Sequence, residues 1–441
     1  MSVNGFAYHL SKRINWPNWL AMALTGLCLA SCQNLVPASG TPTSITPGQA
    51  GCSVKIGVIT SLSGDFAGRA QELTRGYEMA RDDINAAGGI SGCTLELVVK
   101  DDASSARQGA ARFEELAEKD QVPLIVGSFS SDVTLGLVPL ATQYQIPLLA
   151  HNAASALVTR LGSEWVFRTI SPEDVAIADL LDYATSLLPP ANVPSVALAY
   201  EDTAFGHGAA RRVADYAKSA GIGVVAAEAF APNSADFKPL LRRLQRAEPD
   251  IVFLSANELS DALLLLEQSQ EIDLNAQAYL SNCGALTSAQ FLESPYSDYW
   301  IISVPWHSSV GWQGADGQTV EDFGQRFQTR YGVPPLSRSV NAYVNIQLAG
   351  QALAPSAGPG SSDTQDVARL RRAVRDRLRQ LDLPETLFGP IKFDEAGQNK
   401  HRPLLAQIIQ GQLIIVSPEA QSTGQVVFPA PPWSQRSTVS Q

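Results

Sequence analysis

Short β-branched runs alternate with helical-period stretches from residue 53 onward, and this alternation constrains the fold more tightly than any other feature of the chain. Residues 54–59 read as a strand, and the helix that follows places Leu73, Tyr77, Ala80 and Ile84 on one face before Gly88-Gly89 stops it. A strand at 95–99, a helix around 106–118, a strand at 123–126, a helix after Ser131 and a strand at 147–149 repeat the pattern. A second series opens near Glu173 with a helix to Leu188 and runs through strands at 196–200, 224–227, 251–254 and 277–280, each followed or preceded by a helix. A crossover helix returns the chain to the same end of the sheet, so such strands pair in parallel and helices cover both faces. The expected fold class is α/β: two doubly wound parallel-sheet lobes. A length of 441 residues, too great for one ordinary core, agrees with two lobes plus extras.

The first thirty-one residues set the compartment. Lys12 and Arg13 precede the uncharged run 20–30, which is shorter than the ~20 residues needed to span a bilayer but suits the apolar part of an export signal. The run closes on Leu29-Ala30-Ser31-Cys32, which resembles the lipobox of bacterial lipoproteins and implies cleavage before Cys32 and lipidation of that residue. Residues 32–52, rich in Pro, Ser, Thr and Gly, read as a flexible tether, and 418–441, polar and Pro-bearing, as a loose C-terminal tail. Cys52 and Cys93 each just precede an expected strand. If those strands are parallel neighbours, the two thiols meet at their amino ends, and an oxidising compartment favours a disulfide. The protein is then exported and held on a membrane, in the periplasm or on the cell surface, by its lipid anchor alone.

Charge and motif content narrow the function. The formal net charge is -11, which disfavours nucleic acid as a partner. Five histidines and five cysteines form no H-E-x-x-H or paired C-x-x-C, no metal or cofactor is expected, and no nucleophile elbow, Walker A loop or G-x-G-x-x-G follows a strand. The chain does not read as an enzyme. The six arginines between 366 and 382 fall off the apolar stripe of a helix and read as its solvated face. Ligands of open α/β sheets collect beyond the strand carboxyl ends. Those loops are Ser61-Leu62-Ser63-Gly64, Asp101-Asp102, 128–131 and 151–155 in the first series, and 201–205, 255–258 and 282–284 in the second.

Several of these segments, taken in order, carry a resemblance. Lys55-Ile56-Gly57-Val58, Ser61-Leu62-Ser63-Gly64, Asp83-Ile84-Asn85-Ala86-Ala87-Gly88-Gly89-Ile90 and residues 95–102 open it. Val166-Phe167-Arg168-Thr169, Asp202-Thr203-Ala204-Phe205-Gly206, Ala235-Asp236-Phe237 and Gly389-Pro390-Ile391-Lys392-Phe393-Asp394 continue it. Together they resemble the branched-chain amino acid (Leu/Ile/Val) binding protein family, solute receptors of ABC importers with the type I periplasmic-binding fold. The resemblance implies three crossings between lobes, near 169–172, 304–306 and 386–390, which make a hinge. Lobe I is then 53–170 plus 306–385 and lobe II 171–305 plus 386–417.

The resemblance also implies a binding site. Ser131, in the loop Phe129-Ser130-Ser131, matches the serine that holds a ligand carboxylate. Ala153 and Ala154-Ser155 fall at the family's Ala-Thr pair, and Phe205 at its aromatic over the ligand side chain. Three positions depart from the pattern: Cys283, before Gly284, stands where an acidic residue pairs with the ligand ammonium, and Arg69 and Asn257 replace aromatics. Either Asp202 or Glu258 takes over the ammonium, or the ligand is not an ordinary α-amino acid. The implied function is capture of a small carboxylate-bearing solute, an amino acid or relative, for an ABC transporter permease. The alternative is a non-transport exported lipoprotein on the same scaffold, sensing a ligand or regulating an envelope enzyme.

Overall fold

The structure is a computed structural model that describes residues 52–190, 193–256, 258–282, 284–355 and 364–436. The export signal, Cys32, the tether up to residue 51, Asn257 and Cys283 lie outside the described residues.

The first sheet is built from β1 (Ser53–Thr60), β2 (Thr94–Asp101), β3 (Ile125–Gly127), β4 (Leu148–Ala150) and β5 (Val166–Arg168), all parallel, in the order β2-β1-β3-β4-β5. Its connections carry α1 (Ala67–Ala86), α2 (Ala106–Glu118), α3 (Ser131–Gln143) and the short α4 (Leu157–Arg160). Alternation decides which helix covers which face. Ile56 and Val58 point into a core with Leu73, Tyr77 and Ala80 of α1, whereas Ile59 and Ile125 meet Phe113, Val133 and Leu137 of α2 and α3. Cys52 and Cys93, at the amino ends of the paired strands β1 and β2, are joined by a disulfide with Cα atoms 5.0 Å apart. With a sequence separation of 41 the bridge restricts the unfolded chain by about 4 kcal/mol in the chain-entropy account.

From β5 the chain crosses at 169–172 into α5 (Glu173–Leu187) and a second sheet. Its parallel part is β6 (Ser195–Glu201), β7 (Gly223–Phe230), β8 (Ile251–Ser255), β9 (Ala278–Ser281) and β10 (Trp300–Val304), with α6 (Ala204–Ala220), α7 (Lys238–Arg246), α8 (Leu259–Glu271) and the short α9 (Ala289–Leu292) between strands. The chain then returns to the first lobe, where α10 (Val320–Tyr331) and α11 (Ser337–Leu353) pack beside α1 and α12 (Thr364–Gln380) packs beside α11; Arg338 pairs with Glu72 at 2.7 Å and Tyr343 donates to Asp83 at 2.7 Å. A two-stranded ribbon, β11 (Asp382–Leu383) with β12 (Ile391–Lys392), precedes the last crossing to β13 (Leu404–Ile409) and β14 (Gln412–Ser417). These two close the second sheet, in the order β14-β13-β10-β9-β8-β6-β7, and they are antiparallel. The second sheet is therefore mixed, where the alternation predicted parallel pairing only. Its hairpin turns on Gln410 and Gly411, both at positive φ, the backbone of a tight primed turn that glycine makes accessible.

Two sequence expectations fail here. The segment 418–436 is packed rather than loose: Trp433 is buried against Tyr279, its Nε1 donates to the Leu274 carbonyl at 2.7 Å, Arg436 lies 3.7 Å over its ring, and Val427 N donates to Gln407 at 2.7 Å. Residues 437–441 lie outside the described residues. On α12 the arginines are not all on a solvated face. Arg371 is buried and donates to the carbonyls of Ala117, Val122 and Tyr144, capping the carboxyl ends of α2 and α3.

Among the described residues no helix is long and apolar enough to cross a membrane, and no group of three or more His, Cys, Asp or Glu side chains could hold a metal ion.

Candidate functional site

The carboxyl ends of β1, β3 and β4 converge on a polar cluster in the first lobe. Asp102, fully buried just after β2, accepts from Ser61 Oγ at 2.6 Å, Ser128 Oγ at 2.6 Å and Ser104 N at 2.9 Å. It thereby ties three loops together, as a buried carboxylate must be tied to be tolerated. The loop after β3 then delivers the amino end of α3. Ser130, not Ser131, is the N-cap: its Oγ accepts from Val133 N at 3.4 Å. Ser131 is left to turn its hydroxyl toward the neighbouring loop, where it accepts from Ser155 N at 3.2 Å. Ser131 and Ser155 are thus brought together beside the positive end of a helix dipole.

Ala153 is buried, and Ala154 and Ser155 are half-buried. What shapes this loop is Arg168, a wholly buried guanidinium at the end of β5. Its Nη1 donates to the carbonyls of Ala153, at 3.2 Å, and Ser155; Nε donates to Gln398 Oε1 at 2.6 Å and Nη2 to Thr159 at 3.4 Å. Burial lowers its pKa to about 10, so it stays charged at neutral pH. Under the loop, burial pushes the His151 imidazole down to about 3 and keeps it neutral. Asn152 donates to Nδ1 at 2.6 Å, which leaves the ring proton on Nε2 toward Tyr77. The same loop is braced from α11 by Asn341, which donates to the His151 carbonyl and accepts from Thr169 Oγ1 at 3.1 Å in the first crossing.

Arg69 lies in the first turn of α1, half-buried, with its guanidinium 5.4 Å from the Phe66 ring and 5.3 Å from the Phe129 ring, and these two rings are 5.4 Å apart. The structure thus brings Arg69 to the loop that carries Ser131, stacked where a cation gains from ring faces.

In the second lobe Thr203 caps α6 by accepting from Gly206 N at 3.3 Å, and Phe205 is half-buried in the helix's first turn. Gly206 is required there: a Cβ would stand 1.9 Å from the Glu201 carbonyl oxygen. Asp202 faces outward and pairs with His207 Nε2 at 2.7 Å. Glu258 is exposed at the amino end of α8, and Gly284 opens a short 3₁₀ turn, Gly284–Thr287.

The carboxylate that sequence reading missed is Glu173. It begins α5, its backbone N donates to the Ala154 carbonyl at 3.1 Å, and Oε1 reaches to 3.4 Å from the Cβ position of Gly208 on α6. It joins the Ala154 loop to the Phe205 helix. Burial pushes its carboxyl up to about 7, with Asp174 adding to the rise and Arg212 and Arg168 opposing it.

The arrangement can receive a carboxylate at the amino end of α3 and a cation at Glu173. Known proteins share the fold that carries these loops. The sequence model of the family described as Periplasmic binding protein matches residues 53–412. Leu/Ile/Val-binding protein homolog 8 of Brucella abortus (strain 2308) is 26% identical over 388 residues, covering 85% of this chain and 93% of that protein, and homolog 7 of the same organism is 26% identical over 400 residues, covering 86% and 95%. Among solved structures, an ABC transporter substrate-binding protein from Sphaerobacter thermophilus superposes with TM-score 0.71 at 21% identity over 85% of this chain and 99% of its own. The branched-chain amino acid transporter substrate binding protein LivJ from Streptococcus pneumoniae, in complex with isoleucine, does so with TM-score 0.67 at 20% identity over 83% and 100%.

Proposed function

The chain belongs to the periplasmic binding protein family, and from that premise we propose that it is a lipid-anchored receptor which closes its two lobes on a small carboxylate-bearing solute, an amino acid or relative, and hands it to an ABC import permease. The family is one of transporter substrate-binding proteins rather than enzymes. The observation that carries the reading is the meeting of Ser131, at the amino end of α3, with Ser155 and the Arg168-held carbonyls of its loop. A free hydroxyl proton and helix-end amides on one side are what a carboxylate needs.

The ammonium of an α-amino acid needs an anion, and Cys283 cannot supply one at neutral pH in the thiol form. Asp202 is already paired with His207 on an exposed surface, which leaves Glu173, at the seam between the lobes, as the better acceptor. The relatives' names point to branched aliphatic solutes. Three substitutions point elsewhere for this chain: Cys283 for an acid, and Arg69 and Asn257 for aromatics that cover an apolar side chain. Burying such a side chain gains ~1.5–3 kcal/mol, which a desolvated guanidinium offsets. We therefore expect anionic or doubly carboxylated solutes to bind more tightly than leucine. Calorimetric titration with leucine, glutamate and a simple dicarboxylate tests this, and micromolar leucine binding contradicts it.

The anchor rests on Leu29-Ala30-Ser31-Cys32. Replacing Cys32 by Ala is expected to move the folded protein from the membrane to the soluble fraction on cell fractionation, because the lipid is the sole attachment. Retention in the membrane fraction contradicts the lipobox reading.

A further inference from the structure

Lobe II holds a pair of polar side chains whose hydrogen-bonding capacity is unspent among the described residues. Ser255, the last residue of β8, is 0% exposed and its Oγ has no partner; Asn282, the first residue after β9, has both amide atoms buried and neither is paired. The register makes them neighbours. Tyr200 pairs with Ser255 across β6 and β8, and Leu254 with Ser281 across β8 and β9, so the next rung sets Ser255 beside Asn282. Strand alternation puts this rung on the face shared by Phe253, Leu280 and Leu198, which is the face that α5 and α6 cover. It therefore lies at the strand carboxyl ends, on the side from which Glu173 and Phe205 approach.

Several other buried polar side chains of the lobe are satisfied. Gln268 accepts from Phe237 N at 2.5 Å, Ser269 donates to Leu265 O at 2.6 Å, and Ser281 donates to Leu254 O at 2.7 Å. The opposite face of the same strands is largely apolar, lined by Leu254, Ala256, Leu266, Leu286 and Trp300 together with Ser281. Asp174 Oδ1, Trp300 Nε1, His401 Nε2 and Arg436 Nη2 are also unpartnered among the described residues, but these atoms are scattered, whereas Ser255 and Asn282 sit side by side on one rung at the strand carboxyl ends. Buried donors and acceptors are almost always paired, and those left over mark where something else binds.

We propose that Ser255 and Asn282 are specificity-determining residues that receive a planar terminal group with two hydrogen-bonding heavy atoms, a carboxylate or a carboxamide, on the far end of the solute. The proposal rests on the receptor reading above and extends it. One end of the solute is held at Ser131 in lobe I, and the other completes the hydrogen bonds of lobe II only when the lobes meet. An amide and a hydroxyl each offer a donor and an acceptor, so the pair can match either terminal group. A leucine side chain would leave both unsatisfied, which rejects it more strongly than a loss of apolar contact does.

The test is calorimetric titration of the purified full chain with glutamine, glutamate and leucine, repeated on Asn282→Leu and Asn282→Asp, with thermal melting of each variant to verify folding. Glutamine or glutamate is expected to bind at least about tenfold more tightly than leucine. Asn282→Leu is expected to narrow or reverse that ratio. Asn282→Asp, the conservative change, is expected to favour glutamine over glutamate by a further factor of about ten, a reordering that a purely structural role does not produce. Leucine binding most tightly to the unmodified protein, or an order that both folded variants leave unchanged, overturns the proposal while leaving the receptor reading intact. Failure of the unmodified protein to bind any of the three or a simple dicarboxylate overturns both.

Discussion

Replacing Arg168 by Ala is expected to destabilise the protein by about 3–5 kcal/mol and to remove solute binding even where the fold survives. The guanidinium is wholly buried and spends its donors on Gln398, Thr159 and the carbonyls of Ala153 and Ser155. Without it the Ala153 carbonyl loses its donor, the Ser155 carbonyl keeps only Val158 N at 3.1 Å, and a cavity of arginine size opens at the first crossing. Gln398 in turn donates to Ile170 O at 2.8 Å and Asn399 O at 2.9 Å, so the loss propagates to the strands that join the lobes. Arg168→Lys is expected to recover little, because a single ammonium cannot reproduce a fork that reaches three separate elements. Denaturant unfolding of the wild type and both variants measures the effect. A loss below about 1 kcal/mol in either variant contradicts the role given to this side chain.

Glu173→Gln is expected to weaken binding of an α-amino acid by about 30–100-fold at pH 7.5 and to flatten its pH dependence. The sign follows from the carboxyl's position at about 7, well above its ordinary value. Below that pH the group is protonated and offers no charge to an ammonium; above it the group is ionised. Affinity in the unmodified protein should rise from pH 5.5 to 7.5, by at most tenfold per unit, then level off, with proton release on binding at pH 6. The charges that bear on this titration are Arg212 and Arg168, which favour the ionised carboxylate, and Asp174, which opposes it. Calorimetry in buffers of different ionisation enthalpy reads both the affinity and the released proton. An unchanged affinity in Glu173→Gln assigns the ammonium to another residue.

Glu173 also shows where the sequence ceases to be readable. A glutamate in the first turn of a helix is ordinary, since it complements the helix dipole, and nothing local to Pro172-Glu173-Asp174 signals that Ala154 and Gly208 will close around it. Arg168 was visible only as part of a motif, because its partners lie at Ala153, Ser155, Thr159 and Gln398, up to 230 residues away. By contrast β1, β2 and α2 were legible, because Val, Ile and Leu at period two and apolar positions at helical spacing are local signals. So was the neighbourhood of Cys52 and Cys93, since parallel strands order their amino ends. The hairpin β13–β14 was missed because a Gln-Gly turn is a weaker signal than Asn-Gly. The C-terminal segment was misread because its prolines and serines outweigh one tryptophan in composition, although Trp433, Arg436 and the Val427–Gln407 hydrogen bond fasten it to lobe II.

Closure of two lobes on a solute held from both sides changes the shape of the molecule, and solution X-ray scattering with and without saturating solute measures that change. The solute is first identified by titration, and saturation is verified in the same sample. A smaller radius of gyration and a shorter maximum dimension are expected in the bound state, because Ser131 and Arg69 belong to one lobe and Phe205, Ser255 and Asn282 to the other. Superimposable profiles for the free protein and the fully occupied complex would contradict lobe closure.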